Sequence, residues 1–308
     1  MEEISKEYFL NRHHVLDVLS YFLKRQKERK SASLVRLGDG EGRLLGFPEF
    51  VDKTSEGNTC LDHSLKIWFG RSDFLEEELI DLSLQLRGAV KNADVVGLPR
   101  LKQHNAHRVY RYVEEATSRF QLLDRKRQLK TDAAIHRYLQ FGLFYQRLLN
   151  NLDFVGLITG RSQLAGIVKN AFSIKEVKQY LIPAEAIHPG GLEGDHYPDR
   201  FHALKSELLV PYPGAVFLVG AGVLGKLYCD WIKSAGGIAI DIGSICDAWA
   251  NEGRLQHDYH LIKHYADLSP FSLNDGVNRF NQACDHFDMD TTRLTSDHLD
   301  AFIAEYGK

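Results

Sequence analysis

The sequence lacks the features that would place the chain in a membrane or in an oxidising compartment. It has no apolar run near the roughly 20 residues that a membrane-spanning helix needs. The N-terminal segment MEEISKEYFLNRHH is acidic and amphipathic, unlike the basic and then apolar start of a secretory signal. The four cysteines are scattered and include no Cys-X-X-Cys pair, which argues against a disulfide framework and against a zinc site. We therefore expect a cytoplasmic protein without a transmembrane segment.

The chain also lacks a strong excess of one charge. Its formal net charge is −3, whereas nucleic-acid-binding domains are usually basic as a whole, so we expect no nucleic-acid partner. The basic stretch at residues 24–30 is compatible with a peripheral contact to anionic lipid, although the solvated end of a helix is the simpler interpretation. A hydrophobic content of 44% with 26% charged residues is typical of a folded globular protein. No feature of the sequence predicts an oligomeric state.

Six segments share one pattern, a short β-rich apolar run that ends near glycine or proline and precedes a helical pattern. They cover residues 33–38, 93–99, 154–160, 176–183, 215–220 and 237–243. Their apolar residues are continuous rather than alternating, which is typical of strands covered on both faces. Helical patterns are predicted over residues 4–29, 74–90, 104–123, 128–150, 162–172, 197–208 and 223–235. Strands that alternate with helices predict an α/β fold with a mainly parallel, doubly wound sheet flanked by helices.

The remaining segments predict how the chain is divided. Residues 48–64 and 184–199 are polar and irregular, and we expect them to be long connections. Beyond residue 253 the pattern becomes helical and polar. We therefore predict a sheet domain over residues 1–253, with its N-terminal helix at 4–29, and a C-terminal helical appendage over residues 254–308.

Ligands of open α/β sheets bind outside the carboxyl ends of the strands, so the residues that follow strands are the candidates for a site. The first predicted strand segment ends with Arg36 and Gly38, and Asp39 and Glu41 follow it. An Asp-X-Glu pair beside glycines can direct two carboxylates at one Mg²⁺ or Mn²⁺ ion, and Arg36 could bind a phosphate or orient a carboxylate. An Asx-type turn followed by a glutamate at a helix start has the same spacing, so both interpretations stay open.

The third predicted strand ends at Gly160, Arg161 and Ser162, which open a helix. Backbone amides at a helix N-terminus suit an anion, and the guanidinium and hydroxyl groups nearby would add to the attraction. A plain glycine turn with Ser162 as the helix cap is the alternative.

The fifth predicted strand leads into Gly-Ala-Gly-Val-Leu-Gly at residues 220–225, and the next strand ends at Asp241. This pattern matches the dinucleotide-binding fingerprint, with Asp241 in the place of the acid that binds ribose. Only one strand follows, so the second half of a dinucleotide-binding fold is missing. We interpret Gly220 and Gly222 as a turn that lets a ligand phosphate or ribose approach the backbone, with tight packing of helix on strand as the alternative.

Further polar residues follow the sixth and the fourth predicted strands. Asp241, Gly243, Ser244 and Asp247 lie at or after the end of the sixth strand, and His188 lies in the glycine-rich stretch after the fourth. Carboxylates and imidazoles are the usual general bases. Asp247, Asp241 and His188 are therefore the candidate catalytic residues, although Asp247 could equally cap a helix.

The Arg-Leu-Gly-Asp-Gly-Glu segment at 36–41 and the Asp-Ile-Gly segment at 241–243 resemble two motifs of the bacterial GT-D type glycosyltransferases. In that family, formerly catalogued as a domain of unknown function, a strand ending in glycine and a basic residue lies between the motifs, as at 160–161 here. A strand ending in proline follows it, as at 182–183. The resemblance covers residues 30–253. This chain differs at Ser244, where the family has histidine, and at 220–222, where the family has a Gly-Pro-Thr-like turn.

The resemblance implies a Rossmann-like, metal-dependent enzyme that moves a sugar from a nucleotide diphosphate donor, usually a UDP-sugar, to a glycan or glycoconjugate in bacterial polysaccharide biosynthesis. Asp39 and Glu41 would hold Mn²⁺ or Mg²⁺, which neutralises the departing diphosphate. Arg36 and Arg161 would complete the binding of the donor phosphates. An NAD(P)-dependent oxidoreductase built on residues 220–225 is the alternative, and a non-catalytic nucleotide sensor or scaffold is a third hypothesis.

Overall fold

The computed structural model describes residues 11–54, 60–124, 126–186, 190–251, 267–269, 272–289 and 291–307, with the side chains of Asp39, His104, Ala106 and Arg108 excepted. The strands of this part of the chain are β1 (Ala32–Arg36), β2 (Val95–Leu98), β3 (Leu129–Asp132), β4 (Phe154–Thr159), β5 (Glu176–Leu181), β6 (Val216–Gly220) and β7 (Ile238–Asp241). They form one sheet in the order β3-β2-β1-β7-β6-β4-β5, and every neighbouring pair is parallel.

Helices connect the strands and cover the sheet. They are α1 (Val15–Lys27), α2 (Asp39–Gly46), α3 (Leu61–Phe69), α4 (Glu76–Asn92), α5 (Leu101–Ala106), α6 (Arg111–Arg119), α7 (Ile135–Phe141), α8 (Tyr145–Leu149), α9 (Leu164–Ala171), α10 (Phe201–Glu207), α11 (Gly225–Ser234), α12 (Ile245–Ala250), α13 (Leu273–His286) and α14 (Ser296–Tyr306). A 3-10 turn at Arg108–Tyr110 precedes α6, and a π turn at His196–Arg200 precedes α10.

The central strands are buried on both faces. Leu34 and Val35 of β1 are both fully buried, but they belong to two different apolar clusters. Val155 and Ile158 of β4 are divided between the same two clusters. Since successive side chains of a strand point to opposite faces, a continuous apolar run is what a strand between two layers of helices requires.

The six predicted strands are confirmed, and so is the α/β fold with a parallel, Rossmann-like sheet, an N-terminal helix and C-terminal helices. The N-terminal helix begins at Val15 rather than at the predicted residue 4, because His14 caps it and residues 11–14 are not helical. The prediction of one helix over residues 128–150 was wrong, because the chain there forms β3 and then α7 and α8. The four-residue edge strand Leu-Lys-Thr-Asp has no apolar run, and it is a strand because it pairs with β2. The helix predicted over 104–123 is divided between α5, the 3-10 turn and α6.

The predicted connections are partly structured. Helix α3 begins at Leu61, within the stretch 48–64 that was expected to be irregular. Within the stretch 184–199, Gly191 forms a β-bridge with Pro183, and the π turn begins at His196. Within the described residues, no helix is both long and apolar enough to span a membrane. The domain boundary at residue 253 stays a prediction, since residues 252–266 lie outside the described part of the chain.

The order of the strands determines where a ligand can bind. From β1 the chain continues to β2 on one side, whereas β7, the neighbour of β1 on the other side, is reached from β6. Connections that diverge in this way leave a crevice outside the carboxyl ends of the two strands. The ends of β1 and β7 therefore mark the place to look for a site.

Candidate active site

A cleft of about 250 Å³ lies at the carboxyl ends of β1, β7, β6 and β4. Its floor contains the glycine turns that follow the strands, and its walls come from α3, α5 and α7. The polar and charged residues that line it are Arg36, Glu41, Arg100, Gln103, Tyr110, His136, Arg137, Thr159, Arg161, Glu185, His196, Lys226, Asp241, Ser244 and Asp247.

Arg36 joins three strands at the centre of the cleft. Its Nη2 donates to Oδ1 of Asp241 at 2.9 Å, and its Nε donates to the backbone oxygen of the same residue at 3.1 Å. Its Nη1 donates to the backbone oxygen of Ala133 at 3.2 Å, just beyond β3. The guanidinium group is thereby held in one orientation at the crevice between β1 and β7.

Lys226, in the first turn of α11, lies between two acidic side chains. Its Nζ is 2.6 Å from Oε1 of Glu41 and 2.9 Å from the backbone oxygen of Gly222. Nζ is also 3.2 Å from Oδ2 of Asp241, an ion-pair contact without hydrogen-bond geometry. The other oxygen of Glu41, Oε2, accepts from the backbone N–H of Gly38 at 2.9 Å, which caps α2.

The charges of this buried cluster balance. Burial alone would raise the pKa of Asp241, but Arg36 and Lys226 hold that pKa below its ordinary value. Burial would likewise raise the pKa of Glu41, and Lys226 lowers it. Burial by itself would lower the pKa of Lys226, but Asp241 and Glu41 together raise it. Two carboxylates and two cations are therefore charged together at neutral pH.

His136 was not predicted as a site residue, yet its ring lies in the cleft against Arg36. Nη1 of Arg36 is 2.9 Å from Nδ1 of His136. Burial, then the neighbouring Arg36 and Arg137, lower the pKa of His136 well below its ordinary value. The imidazole is therefore neutral and accepts the hydrogen bond from the guanidinium group.

Arg161 and Asp247 form a second ion pair, at the end of β4. Nε of Arg161 donates to Oδ1 of Asp247 at 2.7 Å, and the side chain of Arg161 is 5% exposed. The backbone of Arg161 is fixed as well, because its N–H donates to Oγ1 of Thr159 at 3.2 Å and its oxygen accepts from Nε2 of Gln179 at 2.7 Å. The pair forms a rigid charged wall on the β4 side of the cleft.

The structure brings most of the predicted site residues together. Those that line the cleft are Arg36, Gly38, Glu41, Gly160, Arg161, Gly220, Gly222, Asp241, Gly243, Ser244 and Asp247. Ser162 does not line it, because its side chain is exposed at the start of the turn before α9. His188 and the side chain of Asp39 lie outside the described residues.

Glu41, the member of the expected metal pair whose side chain is described, has no oxygen without a partner. The partners are the ammonium of Lys226 and the N–H of Gly38. Among the described residues there is also no group of three or more acidic, histidine or cysteine side chains that could hold a metal. Since Asp39 is outside that description, the binding of Mn²⁺ or Mg²⁺ stays a prediction.

The dinucleotide-binding alternative requires Asp241 to bind a ribose. Its side chain is only 3% exposed, with Arg36 at Oδ1 and Lys226 beside Oδ2. Oδ2 is also closed to solvent, so a ribose hydroxyl could reach it only if the groups around this buried carboxylate moved. The geometry therefore favours a structural role for Asp241 over the binding of a ribose and over action as the catalytic base.

Comparison with protein-family profiles gives no match, and neither does comparison with curated proteins. Solved structures do match. One, described as "The highly conserved domain of unknown function 1792 has a distinct glycosyltransferase fold", has a TM-score of 0.49 and 16% identity over 77% of this chain and 80% of that chain. Another, "A New Glycosyltransferase (DUF1792) from Streptococcus sanguinis", has a TM-score of 0.48 and 15% identity over 84% of this chain and 95% of that chain.

The chain is similar to these domain structures. Their TM-scores all lie below 0.5. Identities of this size concern the fold alone, so what the site does has to come from its own residues.

Sequence reasoning missed Lys226 and His136 for different reasons. Lys226 directly follows the glycine turn at 220–225, and a cation in the first turn of a helix beside that turn was a signal that could have been used. His136 follows β3, and with β3 assigned to a helix nothing placed residues 133–137 at the carboxyl edge of the sheet.

Proposed function

We propose that this chain is a glycosyltransferase that takes a sugar from a nucleoside diphosphate donor, UDP being the first choice, and passes it to a hydroxyl group of a glycan or glycoconjugate. The observation that carries the proposal is the cleft itself. Arg36, Arg161 and the turn at residues 220–222 come from the ends of three different strands and line one cavity at the crevice of the sheet. Cations and glycine turns at this place suit a diphosphate.

The chemistry requires stabilisation of a departing diphosphate. The bond between the anomeric carbon and the diphosphate oxygen breaks, and its electron pair leaves with the nucleoside diphosphate. Fixed positive groups in a water-poor cleft stabilise such charge at little cost of reorganisation. Arg161 and Arg36 are fixed by ion pairs and by backbone contacts, so they are suited to this role.

For an inverting transfer, the acceptor oxygen forms the new bond to the anomeric carbon and a base takes its proton. Of the two described candidates, Asp241 is enclosed by Arg36 and Lys226, whereas the side chain of Asp247 is 17% exposed and lines the cleft. We therefore assign the base role to Asp247, with Arg161 orienting its carboxylate.

The donor site is tested with a charge-neutral double variant, Arg161→Gln with Asp247→Asn, which removes both charges of the ion pair together. Isothermal titration with UDP should show at least a tenfold loss of affinity, about 1.4 kcal/mol. The matched control is Arg200→Gln with Glu207→Gln, an arginine–carboxylate pair of 2.8 Å outside the cleft lining, and it should bind UDP as the wild type does. Equal UDP affinity in the two double variants would contradict the proposed donor site.

Turnover distinguishes an enzyme from a nucleotide-binding scaffold. The wild type should release UDP from at least one member of a panel of UDP-sugars, and Asp247→Asn should lose this release while keeping its affinity for UDP. Binding of UDP without release of product from any donor and acceptor pool would favour the scaffold. Thermal stabilisation by NADH but not by UDP, GDP or CMP sugars would favour the oxidoreductase.

A further inference from the structure

The ammonium group of Lys226 is surrounded by oxygen atoms in the way that a bound metal ion is. Among the cations that line the cleft it is the most deeply buried, at 3% exposed. Three oxygen atoms surround its Nζ, from Glu41 at 2.6 Å, from the backbone of Gly222 at 2.9 Å and from Asp241 at 3.2 Å. Oxygen ligands from two carboxylates and a carbonyl are those that a hard divalent ion would use.

We propose that the ammonium of Lys226 is the resident cation of this site, and that Glu41 and Asp241 hold it in place of a divalent metal. Glu41 is then a positioning residue that binds the ammonium with one oxygen and caps α2 through Gly38 with the other. The inference concerns the cleft of the proposed function, but it depends on that function only for the identity of the ligand.

Charge balance supports this assignment. Two buried carboxylates require compensating cations, because an unpaired buried charge is strongly unfavourable. Arg36 and Lys226 supply them, and each contacts a different oxygen of Asp241. A divalent ion between Glu41 and Asp241 would meet the ammonium at hydrogen-bond distance, where like charges repel strongly in a buried site. A metal could use Glu41 only after Lys226 had moved away.

The same contacts link the cation to the glycine turn. Nζ donates to the backbone oxygen of Gly222, so Lys226 connects the turn at 220–222 to β7 through Asp241 and to α2 through Glu41. Arg36 and Asp241 belong to two sequence motifs that lie 205 residues apart. Lys226 of α11 adds a third member to the cluster that these two residues form. Loss of this link should loosen the turn where we place the donor phosphates.

The first experiment measures Mn²⁺ binding by electron paramagnetic resonance, without nucleotide, in the wild type and in Glu41→Gln. Glutamine has the size of glutamate and can still accept from Gly38. Because the ammonium of Lys226 already binds the Glu41 carboxylate, Glu41 should contribute nothing to Mn²⁺ binding. The two proteins should therefore bind Mn²⁺ with affinities equal within about twofold, far less than the tenfold change that 1.4 kcal/mol represents. A tenfold or greater loss of Mn²⁺ affinity in Glu41→Gln would overturn the proposal.

The second experiment removes the cation. Lys226→Ala leaves two carboxylates facing each other, and Mn²⁺ should then bind where the ammonium was and raise the Tm of the variant. The double variant Lys226→Ala with Glu41→Gln should lose this response. Lys233→Ala is the control, since Lys233 lies on the same helix, with Nζ 2.7 Å from Oδ2 of Asp94, and does not line the cleft. Absence of any Mn²⁺ response in Lys226→Ala would overturn the assignment, because Glu41 and Asp241 would then not form a cation site.

These measurements separate the two proposals. Neither uses a nucleotide, so a wild type that binds Mn²⁺ through Glu41 would overturn the role of Lys226 and leave the donor site untouched. Loss of UDP binding in the Arg161 and Asp247 double variant, in turn, does not depend on which cation occupies the cluster.

Discussion

Single residues determine how closely the strand ends approach, and Gly243 is the clearest case. Its φ is +47°, a left-handed conformation that residues with a Cβ rarely adopt. A Cβ added there would lie 2.1 Å from Nη2 of Arg36. The guanidinium group can therefore reach Asp241 only because position 243 has no side chain.

We expect Gly243→Ala to destabilise the protein and to displace Arg36. Gly236→Ala is the control, because its φ is +94° and an added Cβ would meet nothing within 4 Å. The backbone cost at a positive φ is about 1–2 kcal/mol in either variant, and the contact with Arg36 adds to it only at Gly243. Urea unfolding should show the larger loss for Gly243→Ala, and UDP affinity should fall in that variant alone. Equal losses of stability would show that Arg36 does not need the space.

At the scale of elements, α13 is packed into the core of the sheet domain. Phe280 of α13 is 1% exposed, and its ring meets that of Tyr138 on α7 edge to face at 5.8 Å. Helix α7 follows β3 and carries His136, so α13 supports the element that places this histidine beside Arg36. The C-terminal helices therefore contribute to the wall of the cleft from behind.

Phe280→Ala should lower the free energy of unfolding by about 3–5 kcal/mol, the usual cost of removing a buried aromatic ring. Leu84→Ala on α4 is the control, since Leu84 is 56% exposed and such surface changes usually stay within about 0.5 kcal/mol. Urea unfolding followed by circular dichroism measures both. A cost for Phe280→Ala as small as that of the control would mean that the C-terminal helices unfold independently of the sheet.

At the scale of the whole molecule, buried neutral histidines limit stability in acid. Burial, with a smaller contribution from Arg200, lowers the pKa of His196 from 6.5 to about 3, and its Nε2 is 2.9 Å from the Tyr228 hydroxyl. The pKa of His136 is lowered in the same direction. In the unfolded chain both imidazoles take up protons near pH 6.5. The unfolded state therefore binds more protons than the folded state below that pH, and stability falls as the pH falls from about 6.5 towards 3.

His196→Gln should reduce this dependence. One proton difference corresponds to about 1.4 kcal/mol per pH unit, so the slope of the unfolding free energy between pH 6 and pH 4 should be smaller by up to that amount in the variant. His202→Gln, at an exposed position of α10, should keep the slope of the wild type. An unchanged slope in His196→Gln would show that this histidine is already protonated in the folded protein.

The amino-acid pattern alone was sufficient to predict most strands of the sheet and the residues at their carboxyl ends. The run Phe-Val-Gly-Leu-Ile-Thr of β4 is buried throughout, and such runs are strands in any context that covers both faces. The glycines and charged residues at or just beyond the ends of these runs, such as Arg36 and Arg161, could be placed at the ligand-binding edge because parallel strands end on the same side. β3 could not be found in this way, since Leu-Lys-Thr-Asp becomes a strand only by pairing with β2.

The partners of the site residues were decided by the tertiary structure. Composition and motif spacing mark Arg36, Glu41 and Asp241 as candidates, but they contain no information on which strand lies beside which. The pairing of β1 with β7 places Asp241 against Arg36, and the packing of α11 over that pair places Lys226 between two carboxylates. Ion pairs of this kind depend on contacts between residues far apart in sequence. The local sequence pattern was therefore sufficient to identify residues of the site. Only the tertiary structure decided that Lys226 is the cation between Glu41 and Asp241.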